Sequence, residues 1–193
     1  MFLISKNYWS VSKTKDKGFG IFAKKKIRAG TVIGDYLGKV IETRLYDLDK
    51  DKKGLYLMYL TDETSIYPNL KKPDIHLLNH SCSPNCWMHI YRGHTLFFAI
   101  KDILPGVELT ISYLLKPKDD CERCTHICKC GHKFCRGTMH PSAANYKKWR
   151  RFQNNQKKNK PEKIVVGRNL PKLNIYPKTI PLDPIYASIS ANN

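Results

Sequence analysis

Long apolar runs and acidic residues are both scarce in this 193-residue chain. No stretch approaches the roughly 18 consecutive apolar residues that a membrane-spanning helix needs, and the apolar residues 2–4 are too few for the core of a signal peptide. We therefore expect an intracellular protein. Only 16 residues are acidic against 34 Lys and Arg, giving a formal net charge of +18. This excess favours a polyanionic partner such as nucleic acid.

Basic residues are densest after residue 140. Residues 141–193 hold 11 of them and only two acidic residues. The basic runs at 147–151 and 157–160 are followed by prolines at positions 171, 177, 181 and 184, which favour extended or disordered chain. We expect a flexible basic tail, which either contacts nucleic acid or another polyanion or is only a solvated surface.

Sustained helical periodicity is scarce as well. Residues 7–115 instead carry short β-prone runs separated by turn residues, including residues 31–33 and 95–100. The Arg92-Gly93-His94 segment between two such runs is typical of a hairpin turn. The pattern predicts a mainly β folded region, in which the polar residues 42–53 form either a short helix or a loop.

The chain has seven cysteines, an odd number that would leave one thiol over in a complete disulfide framework. Cys128, Cys130 and Cys135 form a C-x-C-x4-C pattern, and soft thiolates on such a tight loop suit tetrahedral zinc. Buried thiols without a metal are the alternative. A closed zinc site needs a fourth ligand, and the spacing leaves that choice open. The candidates are Cys82, Cys86, Cys121, Cys124, His126 and His132.

Cys121 and Cys124 also form a C-x-x-C pair of their own. No βαβ pattern surrounds this pair, as a thioredoxin-like redox site would require. An idle pair and a second, partial metal site both stay open.

Three further segments resemble the SET-domain lysine methyltransferases. The first is Lys17-Gly18-Phe19-Gly20-Ile21-Phe22-Ala23 with the later Asp35-Tyr36-Leu37-Gly38, similar to the family's G-x-G segment and Y-x-G strand. The second is Asn79-His80-Ser81-Cys82-Ser83-Pro84-Asn85, similar to N-H-S-C-x-P-N. The third, Pro105 to Tyr113, resembles G-E-E-L-T-x-D-Y. The run from Cys128 to Gly137 resembles the post-SET zinc loop, so that the likeness covers roughly residues 8–139.

The resemblance implies a SET-domain fold over residues 7–115. This fold is mainly β, with several small sheets and a threaded, pseudoknot-like C-terminal segment. Residues 116–127 would be a connector and residues 128–140 the post-SET zinc loop, with the tail at 141–193 outside the likeness. In the family the fourth thiolate comes from the N-H-S-C motif. The implied zinc ligands are therefore Cys82, Cys128, Cys130 and Cys135, and the metal would fasten the loop onto the core.

The resemblance also implies methyl transfer from S-adenosylmethionine to a lysine side chain of a protein, with histones as the leading substrate class. Tyr113 is expected to be catalytic, orienting the amine or the methyl group, and Tyr36 to line the same channel. The amide of Asn79 would meet the methionine end of the cofactor, His80 its adenine, and Phe134 would cover the adenine. The full set of expected cofactor contacts is Lys17, Gly18, Phe19, Gly20, Asn79, His80, Tyr113 and Phe134.

Several positions depart from the family pattern. His76 stands where arginine is common, Val107 replaces an acidic residue, Ser112 replaces Asp or Asn, and Tyr67-Pro68 replaces Asp-Ala. At a further position, Ile111, the family often holds Phe or Tyr, and a tyrosine there holds a water and limits methylation. Because isoleucine cannot form hydrogen bonds, we predict a capacity for di- or trimethylation.

Two other functions compete with this interpretation. One is a catalytically weak, zinc-stabilised module that binds chromatin or nucleic acid. The other is a zinc-finger reader of nucleic acid, but no recognition-helix pattern follows the cysteines. The basic runs favour a nuclear or chromatin-associated location, with the cytoplasm as the alternative.

Overall fold

The computed structural model describes residues 1–45, 56–117, 126–156 and 164–186. Most of the polar segment 42–53, most of the predicted connector, and the pair of Cys121 and Cys124 lie outside these ranges. Across the described residues, no helix combines the length and the apolar character needed to cross a membrane.

The described chain is built from short strands and one longer helix. The strands are β1 (Trp9–Lys13), β2 (Phe19–Ala23), β3 (Val32–Asp35), β4 (Lys39–Glu42), β5 (Met58–Tyr59), β6 (Thr64–Tyr67), β7 (Asn79–His80), β8 (Cys86–Tyr91), β9 (His94–Ala99) and β10 (Glu108–Ile111). The helix is α1 (Ala143–Gln156), and single 3-10 turns lie at Lys6–Tyr8, Thr43–Leu45 and Ile75–Leu77.

These strands form three small sheets, in the orders β1-β2-β10-β7, β3-β9-β8 and β4-β6-β5. The mainly β architecture of several small sheets confirms the predicted fold class. The hairpin turn is confirmed too. Arg92 and Gly93 have φ values of 48° and 79°, and two positive values in succession are what a two-residue hairpin loop with the correct twist requires.

The placement of β10 decides where the functional residues meet. Although β10 comes late in the folded region, it lies between two earlier strands. Leu109 pairs with Ile21 of β2 in antiparallel register, and Ile111 pairs with His80 of β7 in parallel register. One sheet therefore carries the G-x-G segment of the first motif together with residues of the second and third motifs.

Strand β9 forms the centre of the fold, and all six of its residues are buried. Because successive side chains point to opposite faces of a strand, Phe97 and Ala99 pack into one apolar cluster while Leu96 and Phe98 pack into another. The first cluster lies under the motif-bearing sheet. A strand buried on both faces needs cover on its second side as well.

The segment after residue 140 provides this cover, which differs from the flexible tail that we expected. Trp149 of α1 is only 2% exposed, and its ring lies 5.3 Å from that of Trp87. Ile180 and Tyr186 are buried in the same cluster. In the described residues 141–156 and 164–186, single apolar side chains thus pack a proline-containing segment without periodicity against one face of a sheet.

Candidate active site and metal centre

One group of motif residues meets where β2, β10 and β7 lie side by side. The amide nitrogen Nδ2 of Asn79 donates to the carbonyl oxygen of Phe19 at 3.0 Å and to Oε1 of Glu108 at 2.8 Å. The second carboxylate oxygen of Glu108 accepts from Nζ of Lys17. Hydrogen bonds thus connect residues of all three motifs directly.

The two glycines of the first motif fit this contact. A Cβ atom at Gly20 would lie 2.6 Å from Oε1 of Glu108 and 2.9 Å from Nδ2 of Asn79, so a larger residue would push the two apart. Gly18 has a φ of +76°, which other residues rarely adopt. Glycine is therefore favoured at position 20 by the packing of Asn79 and Glu108 against β2, and at position 18 by its backbone conformation.

His80 connects the second motif to the third and to the cysteines. Its Nδ1 accepts the backbone N–H of Tyr113 at 3.2 Å. A neutral imidazole has one donor and one acceptor nitrogen, so the proton lies on Nε2, which is 3.7 Å from Sγ of Cys82. The His80 ring also makes an edge-on contact with the Tyr113 ring, with centroids 5.4 Å apart.

Two tyrosines keep their protons at neutral pH. Burial is the main cause that raises the pKa of Tyr113 to about 12, and the nearby Tyr56 is the second. Burial likewise raises the pKa of Tyr36 far above its ordinary value. The Tyr113 hydroxyl donates to the carbonyl oxygen of Leu78 at 3.3 Å, and that of Tyr36 donates to the carbonyl oxygen of Tyr56. Neither ring therefore carries a phenolate charge.

A cavity of about 570 Å³ opens beside these tyrosines. Tyr36, Ile111 and Tyr113 all line it, together with Leu78 and Met88. Tyr36 and Tyr113 thus line one cavity, and their roles there stay predictions. Most of the cavity's exposed wall is apolar, which is the usual character of a small-molecule or side-chain binding site.

Four cysteines gather at one side of this region. The Sγ atoms of Cys82, Cys128, Cys130 and Cys135 all lie within 4.8 Å of one another. In a tetrahedral site with Zn–S bonds of about 2.3 Å, the sulfurs are separated by about 3.8 Å, and the Cys82 and Cys128 sulfurs lie 3.7 Å apart. All four are free thiols. Their number, chemistry and spacing fit a structural zinc ion.

The other described candidates for a fourth ligand, Cys86, His126 and His132, lie outside this cluster. Cys86 is fully buried, and burial raises the pKa of its thiol far above the ordinary value, which opposes the thiolate form that metals bind. By contrast, contacts with Cys128 and His80 lower the pKa of Cys82. His126 and His132 are not members of the four-sulfur cluster.

Two aromatic side chains with expected cofactor contacts are open to solvent. Phe19 is 59% exposed and Phe134 is 53% exposed. Phe134 lies beside His132, with ring centroids 5.7 Å apart, and under Nζ of Lys133. The described contacts do not connect Phe134 with Asn79 or His80, so its role stays a prediction.

Sequence reasoning missed several residues around the site. Glu108 lies inside the third motif, but nothing local indicates that its carboxylate contacts Asn79 and Lys17. Tyr146 and Arg150 of α1 also line the cavity, and the Arg150 guanidinium lies 5.0 Å from the centre of the Tyr59 ring. Their four-residue spacing places them on one helix face, which was the available signal.

Comparison with known proteins settles the family. Residues 18–114, just over half of the chain, match the family model described as SET domain. The chain belongs to the SET-domain family. The matched residues of this SET-domain protein include strands β2, β7 and β10.

The relatives of this SET-domain protein are much longer than it is. It is 32% identical over 138 residues to histone-lysine N-methyltransferase TRX1 of Oryza sativa subsp. japonica. This match covers 66% of this chain and 13% of the relative. It is 32% identical over 141 residues to histone-lysine N-methyltransferase 2B of Homo sapiens, and this match covers 68% of this chain and 5% of the relative. Histone-lysine N-methyltransferase trithorax of Drosophila virilis is 29% identical over 140 residues, covering 68% and 4%.

A solved structure shares the fold. The crystal structure of KRYPTONITE in complex with mCHG DNA and SAH superposes with a TM-score of 0.58 at 23% sequence identity. The match covers 68% of this chain and 29% of that chain. At this identity the likeness supports the SET fold itself.

Proposed function

We propose that this SET-domain protein transfers a methyl group from S-adenosylmethionine to the side-chain amine of a lysine in another protein, with histones as the leading substrate class. The observation that carries the proposal is the meeting of Gly20, Asn79, His80 and Tyr113 around β10, beside a cavity of about 570 Å³. The names of the relatives support the same activity, and SAH in the structural neighbour supports the same cofactor.

The cavity walls suit a neutral lysine amine. S-adenosylmethionine, when bound, supplies an electrophilic methyl group on a positively charged sulfur. A lysine with an ordinary pKa of about 10.4 must lose its proton before it can attack. Apolar surroundings such as Ile111 and Leu78 disfavour the ammonium form. Because Tyr36 and Tyr113 are neutral phenols, no adjacent phenolate stabilises the charge, and the proton can leave to solvent.

We assign positioning and binding roles to the motif residues. Tyr113 orients the amine or the methyl group with its hydroxyl, and Tyr36 lines the same channel. Asn79 binds the methionine end of the cofactor and His80 its adenine. Lys17, Gly18, Phe19 and Gly20 flank the cofactor, and Phe134 covers the adenine.

Cys82, Cys128, Cys130 and Cys135 would hold a structural zinc ion. The ion would tie the loop at residues 128–135 to the strand that carries Asn79 and His80, because Cys82 follows His80 by two positions. The N–H at Nε2 of His80 points at the Cys82 sulfur, and such a hydrogen bond to a metal ligand steadies its orientation. The zinc centre and the cofactor pocket would therefore share one wall.

The positive surface would serve docking to chromatin. A histone tail is itself basic, so a chain of net charge +18 gains little from attracting that tail alone. The exposed Lys147, Lys148 and Arg151 of α1 instead suit a polyanion such as nucleosomal DNA, because neutralising phosphates releases counterions. A nuclear, chromatin-associated location follows from this proposal.

Transfer of radiolabel tests the proposed function. The protein would be incubated with methyl-labelled S-adenosylmethionine and histones, nucleosomes or a cell lysate. We expect labelled protein with the wild type, near-complete loss with Tyr113→Phe, and full activity with Tyr8→Phe, a matched change at a 39% exposed tyrosine. Label that survives both Tyr113→Phe and Asn79→Ala would contradict the assignment. Absent label together with absent cofactor binding in calorimetry would favour a chromatin-binding module.

A further inference from the structure

Asn79 is held in one orientation by two acceptors. Its Nδ2 donates to the Phe19 carbonyl oxygen and to Oε1 of Glu108. Both partner atoms accept hydrogen bonds and neither donates one, so the amide nitrogen and not the amide oxygen must face them. Both donor hydrogens of the amide are thereby used. Within the described ranges, Oδ1 of Asn79 accepts no hydrogen bond, so it is the atom left for a ligand.

Glu108 supplies the second acceptor that the Asn79 amide group needs, because the Phe19 carbonyl accepts from only one of its two hydrogens. With only the Phe19 carbonyl in place, one amide hydrogen would be unpaired and the side chain could turn. The carboxylate bridges Asn79 to Lys17, and it comes from β10, which pairs with both β2 and β7. The strand register therefore brings the carboxylate to the amide without distortion.

The charge of Glu108 is balanced within the sheet. The side chains of Lys17 and Glu108 are only 17% and 18% exposed, whereas those of the surface pair Lys26 and Asp102 are 53% and 50% exposed. An exposed ion pair contributes little to the stability of the fold. A mostly buried carboxylate without its lysine would be costly, so Lys17 holds Glu108 in place.

We infer that Glu108, held by Lys17, is a positioning residue that fixes the Asn79 amide with its oxygen directed at the α-ammonium group of the cofactor. The inference rests on the proposed function and deepens it. Glu108 touches neither the substrate nor the reacting atoms. Its effect is therefore specific to ligands that carry an amino-acid end, because the adenine side of the site does not depend on the Asn79 amide.

Two ligands separate this effect from general damage. S-adenosylhomocysteine carries the α-ammonium group, and 5′-methylthioadenosine has the same nucleoside thioether without it. Calorimetry on Glu108→Ala should show at least about tenfold weaker binding of S-adenosylhomocysteine, since a lost hydrogen bond to a charged group costs about that much. The dissociation constant of 5′-methylthioadenosine should change by less than about twofold in the same variant. In steady-state kinetics, the KM for S-adenosylmethionine should rise while kcat stays nearly constant.

Conservative and matched variants complete the test. Glu108→Gln keeps an acceptor for Asn79 and should rescue most of the affinity, while Lys17→Met should show a smaller loss with the same ligand selectivity. Asp102→Asn, which breaks the exposed pair, should leave the affinity for both ligands unchanged. If Glu108→Ala does not fold, Lys17→Met carries the test.

If the binding of both ligands weakens equally, or if the binding of neither ligand weakens, the positioning role is overturned. A wild-type protein that binds neither ligand would instead overturn the proposed function. The two failures are therefore distinct.

Discussion

Trp149 offers the sharpest test of how the segment after residue 140 is held. It is 2% exposed, and its ring meets Trp87 edge-on with centroids 5.3 Å apart and planes at 76°. Trp87 is itself fully buried in the sheet of β3, β9 and β8. Trp149→Ala would remove the largest side chain that α1 places on this sheet and would leave a cavity against Trp87.

The expected cost is large. Replacing a buried Trp by Ala typically destabilises a protein by about 3–5 kcal/mol, and the edge-on aromatic contact adds to the loss within that range. Urea denaturation followed by tryptophan fluorescence and circular dichroism would measure the free energy of unfolding. Lys147→Ala, an exposed change on the same helix, should stay within about 0.5 kcal/mol of wild type.

A loss below about 1 kcal/mol for Trp149→Ala would refute this reasoning, because it would lie closer to an ordinary surface change of about 0.5 kcal/mol than to the loss of a buried Trp of about 3–5 kcal/mol. It would mean that α1 contributes little to the cover of β9. A loss in the expected range would also predict a higher KM for the protein substrate. The reason is that Tyr146 and Arg150, on either side of Trp149, line the cavity.

Three further outcomes follow from the site. Cys82→Ser should lower the zinc content measured by elemental analysis and sharply reduce thermal stability, whereas Cys86→Ser, outside the cluster, should keep the zinc; equal zinc in both variants would contradict the ligand set. Ile111→Tyr should shift the product from di- or trimethyl-lysine towards monomethyl-lysine in mass spectrometry with excess cofactor, and wild-type protein that makes only monomethyl-lysine would contradict the prediction. Because the pKa of Tyr113 is raised from 10.0 to about 12, its contribution to folding is full below pH 10 and is lost as the pH rises towards 12. The free energy of unfolding should therefore fall less steeply over that interval in Tyr113→Phe than in wild type, and identical slopes would argue against burial as the cause.

Much of the site was predictable because its residues lie in three compact motifs. The order of the strands was not predictable from local pattern, since no pairing signal joins Thr110 of β10 to Asn79 of β7. The resemblance to a known family supplied that step. It also supplied the choice of Cys82, because spacing alone left six candidates for the fourth zinc ligand.

The missed features depend on contacts between distant segments. Lys17 and Glu108 are 91 positions apart, and neither residue indicates the other. The cover of β9 was closer to being predictable. The apolar run at residues 96–100 is continuous, not alternating, which is typical of a strand buried on both faces. It implied a second layer, and the single apolar residues after position 140 were the material for it.

In the proposed function, residues around β10 hold S-adenosylmethionine beside a lysine channel that contains Tyr113. Mass spectrometry of nucleosomes incubated with the protein and the cofactor tests it most directly. We predict lysine residues that gain the mass of one or more methyl groups with the wild type and none with Tyr113→Phe. Unmodified lysines with a zinc-loaded protein that binds S-adenosylhomocysteine would contradict a histone substrate. Methyl-lysine formed equally by Tyr113→Phe would contradict the account of the active site.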